Sequence, residues 1–248
     1  IKFMKPSEKV KFISNWIKSY VNDMPNKAQS LVIGISGGID SSVSSTLSAM
    51  TGIKTIVLTM PIKQKKNQND LSLKHKEWLL KNFKNVEAHT ISLDNLFESF
   101  SNTLGKFDNE HGFANSRARL RMTTLYQVAA ANKGIVVGTG NKVEDFGVGF
   151  YTKYGDGGVD ISPIADCNKS EVWELGKEMG ILKEIIDAAP TDGLWDDGRT
   201  DEGQLGFKYH ELEDAMSNSN SPHRKEYEKI RKQNLHKMEP IPVCKIPS

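Results

Sequence analysis

Residues 36–42 read "SGGIDSS" and follow the apolar run "LVIGI". Gly37 and Gly38 allow backbone N–H groups to approach a ligand with no Cβ in the way, and Ser36, Ser41 and Ser42 add hydroxyl donors. Successive N–H groups at the start of a helix form an anion nest, which suits phosphate. The loop is neither GxxxxGK[ST] nor GxGxxG, and in place of a phosphate-binding lysine it carries Asp40. An acid beside phosphates needs a cation, and Mg²⁺ takes one or two carboxylates together with phosphate oxygens and water. Asp40 therefore reads as a Mg²⁺ ligand in a nucleotide site. A second carboxylate is expected at another strand end. Glu144 in "IVVGTGNKVED" supplies it, with Asp145 as the adjacent competitor. The plainer alternatives are a turn capped by Asp40 and solvated loop acids, and spacing alone leaves these open.

The elements that must hold these residues alternate in type. Helical spacing is found over 7–22, "LVIGI" (31–35) is a buried strand, and "DSSVSSTLSAMTG" is a helix stopped by Gly52. A strand over 54–62, a polar loop over 63–70 and a helix around "KHKEWLLKNF" come next. A strand over 86–93 precedes a helix that Asp94 is expected to cap. A long helix over 115–132 leads into the strand "IVVGT" (135–139). The expected fold is α/β, a parallel sheet with helices on both faces, whose ligands lie at the carboxyl ends of the strands. Beyond it, "KYGDGGVD" and "APTDGLWDDGRTDEGQ" read as loops around a helix over 169–180. The segment 192–204 is long for a connection and is expected to act as a mobile cover. The whole chain, 1–248, reads as one domain with an N-terminal helical appendage.

Composition narrows the class. Thirty-three Lys and Arg against 31 Asp and Glu give a net charge of +2, which argues against general nucleic-acid binding. Two cysteines outside any CxxC exclude a disulfide framework or structural zinc and suit a reducing, cytoplasmic setting. The apolar runs are too short to span a bilayer. The chain begins at Ile1 rather than Met, so its start is expected upstream.

Taken in order, "SGGIDSS", "RLRM", "GTGNKVED", "TKYGDGG", "APTDGLW", "TDEGQLGF" and the late "HK" make the chain resemble the ammonia-dependent NAD⁺ synthetases, from about residue 8 to about 240. These belong to the ATP pyrophosphatases with an SGGxDS loop, of the adenine nucleotide alpha-hydrolase-like, Rossmann-like type. The resemblance implies that ATP adenylylates the nicotinate carboxylate of deamido-NAD⁺ and that ammonia then displaces AMP. It assigns ATP to Gly34, Ser36, Gly37, Gly38, Asp40, Ser41, Thr139, Lys169 and Thr191, and Mg²⁺ to Asp40 and Glu144. Deamido-NAD⁺ falls to Arg119, Lys153, Asp160, His236 and Lys237, and a homodimer is implied. Catalysis is then assigned to Asp40, Lys169 and Glu144. "GTGNKVED" replaces the commoner "GTDHAAEA" and matches a second branch with "NKxE", which loosens the register at Glu144.

Among the residues themselves, Arg117 and Arg121 share a helical face that Arg119 leaves, so at least one of the three is expected to be surface charge. Lys169 opens a helix, where the dipole disfavours a cation, and so suggests a function. Between Asp156 and Asp160, spacing does not choose. No glutaminase domain is expected ahead of the loop, so free ammonia is the expected nitrogen source. The rival readings are a tRNA-modifying or GMP-forming enzyme with the same loop and a non-catalytic nucleotide-binding module. Paired cysteines with a basic face, or a second domain after the loop domain, would be needed for the first two.

Overall fold

A computed structural model describes residues 3–63, 66–195 and 197–248. Four strands, β1 (Ser30–Gly34), β2 (Lys54–Thr59), β3 (Val86–Thr90) and β4 (Gly134–Val136), form one sheet in the order β3-β2-β1-β4. Every pairing is parallel, with Val32 opposite both Ile56 and Val136. The α/β reading holds. Strand order reverses between β1 and β4, and the loops leaving these two strands carry Asp40 and Glu144.

Ten helices surround the sheet among the described residues: α1 (Pro6–Asp23), α2 (Ile39–Met50), α3 (Lys66–Asn82), α4 (Asp94–Thr103), α5 (Glu110–Ala131), α6 (Lys169–Glu178), α7 (Lys183–Ile186), α8 (Asp201–Leu205), α9 (Tyr209–Ser217) and α10 (Arg224–Met238). The strands are apolar on both sides because both sides are covered. Leu31, Ile33, Val57, Ile135 and Val137 face the core shared with α1, α2 and α6. Val32, Ile56, Leu58 and Val136 face the opposite core, with Phe97 of α4 and Ala129 of α5. A third cluster joins Val143 and Val148 to Tyr209, Leu212 and Tyr227. It seats α9 and α10 against the segment after β4, and so brings Tyr209 to the strand ends.

Two local expectations are corrected. The polar tract placed in a loop over 63–70 is helical from Lys66, while residues 64 and 65 lie outside the described residues. Polarity does not break a helix whose Leu79 and His75 are fully buried on the other side. Asp94 does not cap its helix: it is the first helical residue, and its Oδ1 accepts from the Lys63 backbone N–H at 2.7 Å. Residues 143–148, for which solvated loop acids stood as the plainer alternative, form a π-helical turn closed by Gly149 in the left-handed region, φ 71°. Such turns concentrate at functional sites.

Candidate active site

The loop after β1 has the form expected of an anion nest. Gly37 adopts φ 88°, a conformation that glycine alone adopts cheaply. Gly38 stands at the N-cap of α2 with no side-chain cap bond, so the first-turn N–H groups of α2 remain available to a ligand. The Ser36 backbone N–H donates to Ser41 Oγ at 3.1 Å, and Ser42 Oγ donates to the Gly38 carbonyl at 2.7 Å. The serines thus hold the loop's shape, and Asp40 is not the cap of the turn.

Asp40 and Glu144 converge from α2 and from the π-helical turn, with side chains 16 % and 14 % exposed. Between them stands Lys169, whose Nζ is 2.6 Å from Asp40 Oδ2 and 3.9 Å from Glu144 Oε1. Lys169 is 2 % exposed at the first position of α6. Burial pulls its ammonium pKa down, but the charges of Asp40 and Glu144 more than offset this and hold it above 10.5. The sequence signal from a lysine at a helix start is thereby explained: the acids, not the dipole, govern its charge.

Asn141, which the motif reading left unassigned, is fully buried and positions both acids. Its Nδ2 donates to Asp40 Oδ1 and Oδ2 at 3.4 and 3.3 Å, and its Oδ1 accepts from the Glu144 backbone N–H at 3.1 Å. Tyr209 is missed in the same way; its hydroxyl lies 3.0 Å from Glu144 Oε1 and 3.1 Å from Asp201 Oδ2. Neither could be recognised from spacing: Asn141 acts through Asp40, 101 residues away, and Tyr209 is brought in by the packing of α9 on the turn. Asp145, the competitor of Glu144, folds back over Gly140, where a Cβ would meet its Oδ1 at 2.3 Å.

Among the described residues no cluster of three or more His, Cys, Asp or Glu could enclose a metal unaided. Two converging carboxylates, with an ammonium now standing between them, suit a cation that brings its remaining ligands as phosphate oxygens and water. The residues fit Mg²⁺ on that basis.

Burial pushes the carboxyls of Asp145 and Asp201 up to about 7, and Glu144 well above its ordinary value, with the Asp40 charge adding to each. A folded-state pKa above the unfolded one favours the protonated native state. Stability of the ligand-free protein is therefore lost as pH rises from the ordinary carboxylate range through about 7. His75, buried and lowered to about 4, acts in the opposite sense, but Asp156, raised by burial to about 6, adds to the first. A thermal midpoint that falls between those limits, with a shallower slope in Asp145→Asn, is the expected result. A midpoint flat with pH would contradict it.

The residues assigned to a second substrate have partners of their own. Arg119 is exposed, and its Nε donates to the Lys153 carbonyl at 3.2 Å. Lys237 Nζ donates to the Tyr151 carbonyl at 2.6 Å, while the Tyr151 hydroxyl donates to the Lys237 carbonyl at 3.0 Å. His236 is exposed beside it. Asp160 accepts from the Tyr126 hydroxyl at 2.9 Å and from the Val136 N–H at 2.8 Å, whereas Asp156 accepts from the Thr152 N–H. The "TKYGDGG" glycines do have a packing reason: a Cβ at Gly155 would meet Ala118 at 2.8 Å, and one at Gly158 would meet Met122 at 3.0 Å. The loop is pressed onto α5, which keeps Lys153 beside Arg119.

Thr139 ends the turn after β4 and is half-buried, while Thr191 Oγ1 is engaged with the Arg199 carbonyl at 3.0 Å. Arg117 and Arg121 run inward from α5 as their spacing requires. Arg117 donates to the Leu194 carbonyl at 3.0 Å, and Arg121 to those of Met60 at 3.0 Å and Gly193 at 3.5 Å. The segment 192–204, of which Asp196 lies outside the described residues, is thus held at the carboxyl end of the sheet and includes part of α8. Ser45 and His75 form a pair at 3.0 Å that sequence reasoning did not anticipate. Both are fully buried, which removes them from any reaction with solvent-borne substrate.

Comparison with known proteins agrees with this geometry. The family model described as NAD synthase matches residues 9–246. The NH₃-dependent NAD⁺ synthetase of Mesoplasma florum is 37% identical over 240 residues, covering 95% of this chain and 93% of that protein. The enzyme of the same name from Carboxydothermus hydrogenoformans is 36% identical over 212 residues, covering 83% of each. Among solved structures, the NMN synthetase of Francisella tularensis superposes with a TM-score of 0.90 at 34% identity, covering 98% of this chain and 100% of that one. With a matching family model over nearly its whole length and the nest, acid pair and lysine in place, this chain belongs to the NAD synthase family.

Proposed function

We propose that the protein is an ammonia-dependent ligase that amidates deamido-NAD⁺ to NAD⁺ at the expense of ATP. The observation that carries this reading is the Asp40–Lys169–Glu144 group standing at the mouth of the nest, at 2.6 and 3.9 Å. In the first step a nicotinate carboxylate oxygen attacks the α-phosphorus. The bond to the bridging oxygen breaks, and pyrophosphate leaves with its electron pair. In the second step the ammonia nitrogen attacks the acyl carbon, AMP departs, and a proton is lost from nitrogen.

The first-turn N–H groups of α2 and the Lys169 ammonium are placed to hold the departing pyrophosphate. Asp40 and Glu144 would hold Mg²⁺, which when bound neutralises phosphate charge. Arg119, Lys153, Asp160, His236 and Lys237 are proposed to hold the nicotinate nucleotide, and Thr139 and Thr191 to face ATP. The segment over 192–204 would exclude water from the acyl-adenylate. One domain, a homodimeric assembly and a cytoplasmic setting complete the proposal. No described helix is long and apolar enough to cross a membrane.

Exchange of labelled pyrophosphate into ATP, dependent on deamido-NAD⁺, is the expected result; no exchange above background with Mg²⁺ present would overturn the reading. The likeness to an NMN synthetase favours a second reading, in which nicotinate mononucleotide is the acid activated. Running the assay with each acid separates them, since the true substrate supports exchange at the lower concentration.

A further inference from the structure

We propose that Asp201 is a positioning residue that keeps the Glu144 carboxylate available to a cation by drawing the Tyr209 hydroxyl proton onto itself. The proposal rests on the reading of Asp40 and Glu144 as the cation ligands. Tyr209 offers one hydroxyl hydrogen to two carboxylates, at 3.0 Å to Glu144 Oε1 and 3.1 Å to Asp201 Oδ2. With both acids ionised, as at alkaline pH or with a cation bound, only one can receive it at a time. The ring is fixed: it is 2 % exposed, it meets Trp173 edge-on at 6.3 Å between centroids, and Lys169 Nζ lies 4.9 Å from its centre. The hydroxyl rotor is therefore the part free to choose.

When the hydrogen points to Glu144, it occupies a lone pair there and weakens that oxygen as a metal ligand. When it points to Asp201, both Glu144 oxygens stay open. Asp201 is built to win. It is 4 % exposed, and its Oδ1 is buried with no hydrogen-bond partner among the described residues. A buried carboxylate short of donors pulls hard on the one donor it can reach. Asp201 also belongs to the segment that covers the sheet end: its backbone N–H donates to the Pro190 carbonyl at 2.9 Å, and it opens α8. Seating of that segment is what brings the competing acceptor to Tyr209, so the cover and the cation site are linked through a single hydrogen.

The test uses Mn²⁺ as probe, with the full chain and a non-hydrolysable ATP analogue, reading free Mn²⁺ by electron paramagnetic resonance. In Asp201→Asn the amide becomes a donor to the Tyr209 oxygen and turns the hydroxyl toward Glu144. Mn²⁺ affinity is expected to fall about tenfold, the range seen when outer-shell partners are lost. Adding Tyr209→Phe to that variant removes the misdirected hydrogen and is expected to restore Mn²⁺ binding. A merely structural role predicts a double variant no better than the single one, and so does direct ligation by Asp201. Unchanged Mn²⁺ affinity in Asp201→Asn, or no recovery in the double variant, overturns the proposal. Glu144→Gln is run in parallel: if it leaves Mn²⁺ binding intact, the cation-ligand reading itself fails. Should Asp201→Asn not fold, Asp201→Ser with and without Tyr209→Phe carries the same comparison.

Discussion

Replacing Asp40 with asparagine is expected to lower pyrophosphate exchange by about a thousandfold while leaving ATP affinity within a few-fold of the parent. The substitution keeps shape and removes charge. Asp40 sits in the first turn of α2, among the N–H groups that face phosphate. Without a cation its charge would repel ATP, so a neutral side chain costs ground-state binding little. Lys169 would lose its partner at 2.6 Å and retain Glu144 at 3.9 Å, leaving an ammonium free to bind phosphate more firmly. What is lost is the cation's grip on charge that grows as the α-phosphorus is attacked. A kcat effect without a matching KM effect is the signature of that loss. Exchange within tenfold of the parent would remove Asp40 from the site.

The second large effect concerns Lys169. Lys169→Met should destabilise the ligand-free protein by about 3–5 kcal/mol at neutral pH, because it strands buried carboxylates without a counter-charge. Its side chain is 3 % exposed, so solvent does little to screen the pair. The penalty has a direction in pH. With the ammonium gone, Glu144, whose pKa burial and the Asp40 charge already push well above the ordinary value, can remain buried only by taking up a proton, so the variant should recover toward acid pH and fail toward neutral. Combining it with Asp40→Asn removes one of the stranded charges and should return part of the lost stability, a coupling that urea unfolding can measure. Additive losses in the double variant would mean the two side chains do not interact. Arginine is no substitute, since a planar guanidinium does not fit a point-charge site at the start of α6.

How much of this was legible beforehand depended on whether a residue's role is local. The α/β alternation could be read because each strand is apolar along its length and each helix has its own period. Asp40 could be read because the glycines that shape its loop are its neighbours. Glu144 could be read because it follows a strand end. Asn141 lies three residues before Glu144, yet its role depends on Asp40, 101 residues away in sequence. Tyr209 reaches Glu144 across 65 residues, through an apolar contact between α9 and the π-helical turn that no short motif encodes. Asp94 was misread as a cap because a backbone donor from Lys63, outside its own helix, takes its carboxylate. The polar start of α3 was misread because helix propensity survives a hydrophilic composition when the opposite face is buried.

The two inward arginines of α5 hold the segment 192–204 in part by the carbonyls of Gly193 and Leu194. A carbonyl is present whatever residue occupies the position. At these two bonds the hold does not depend on the side chain, so position 194 can change what it presents to a bound nucleotide while that part of the seat is kept. Selection would then act separately on the two halves of the contact: strictly on Arg117 and Arg121, and loosely on the side chain at 194. New substrate preferences could arise at that position without rebuilding the site beneath it.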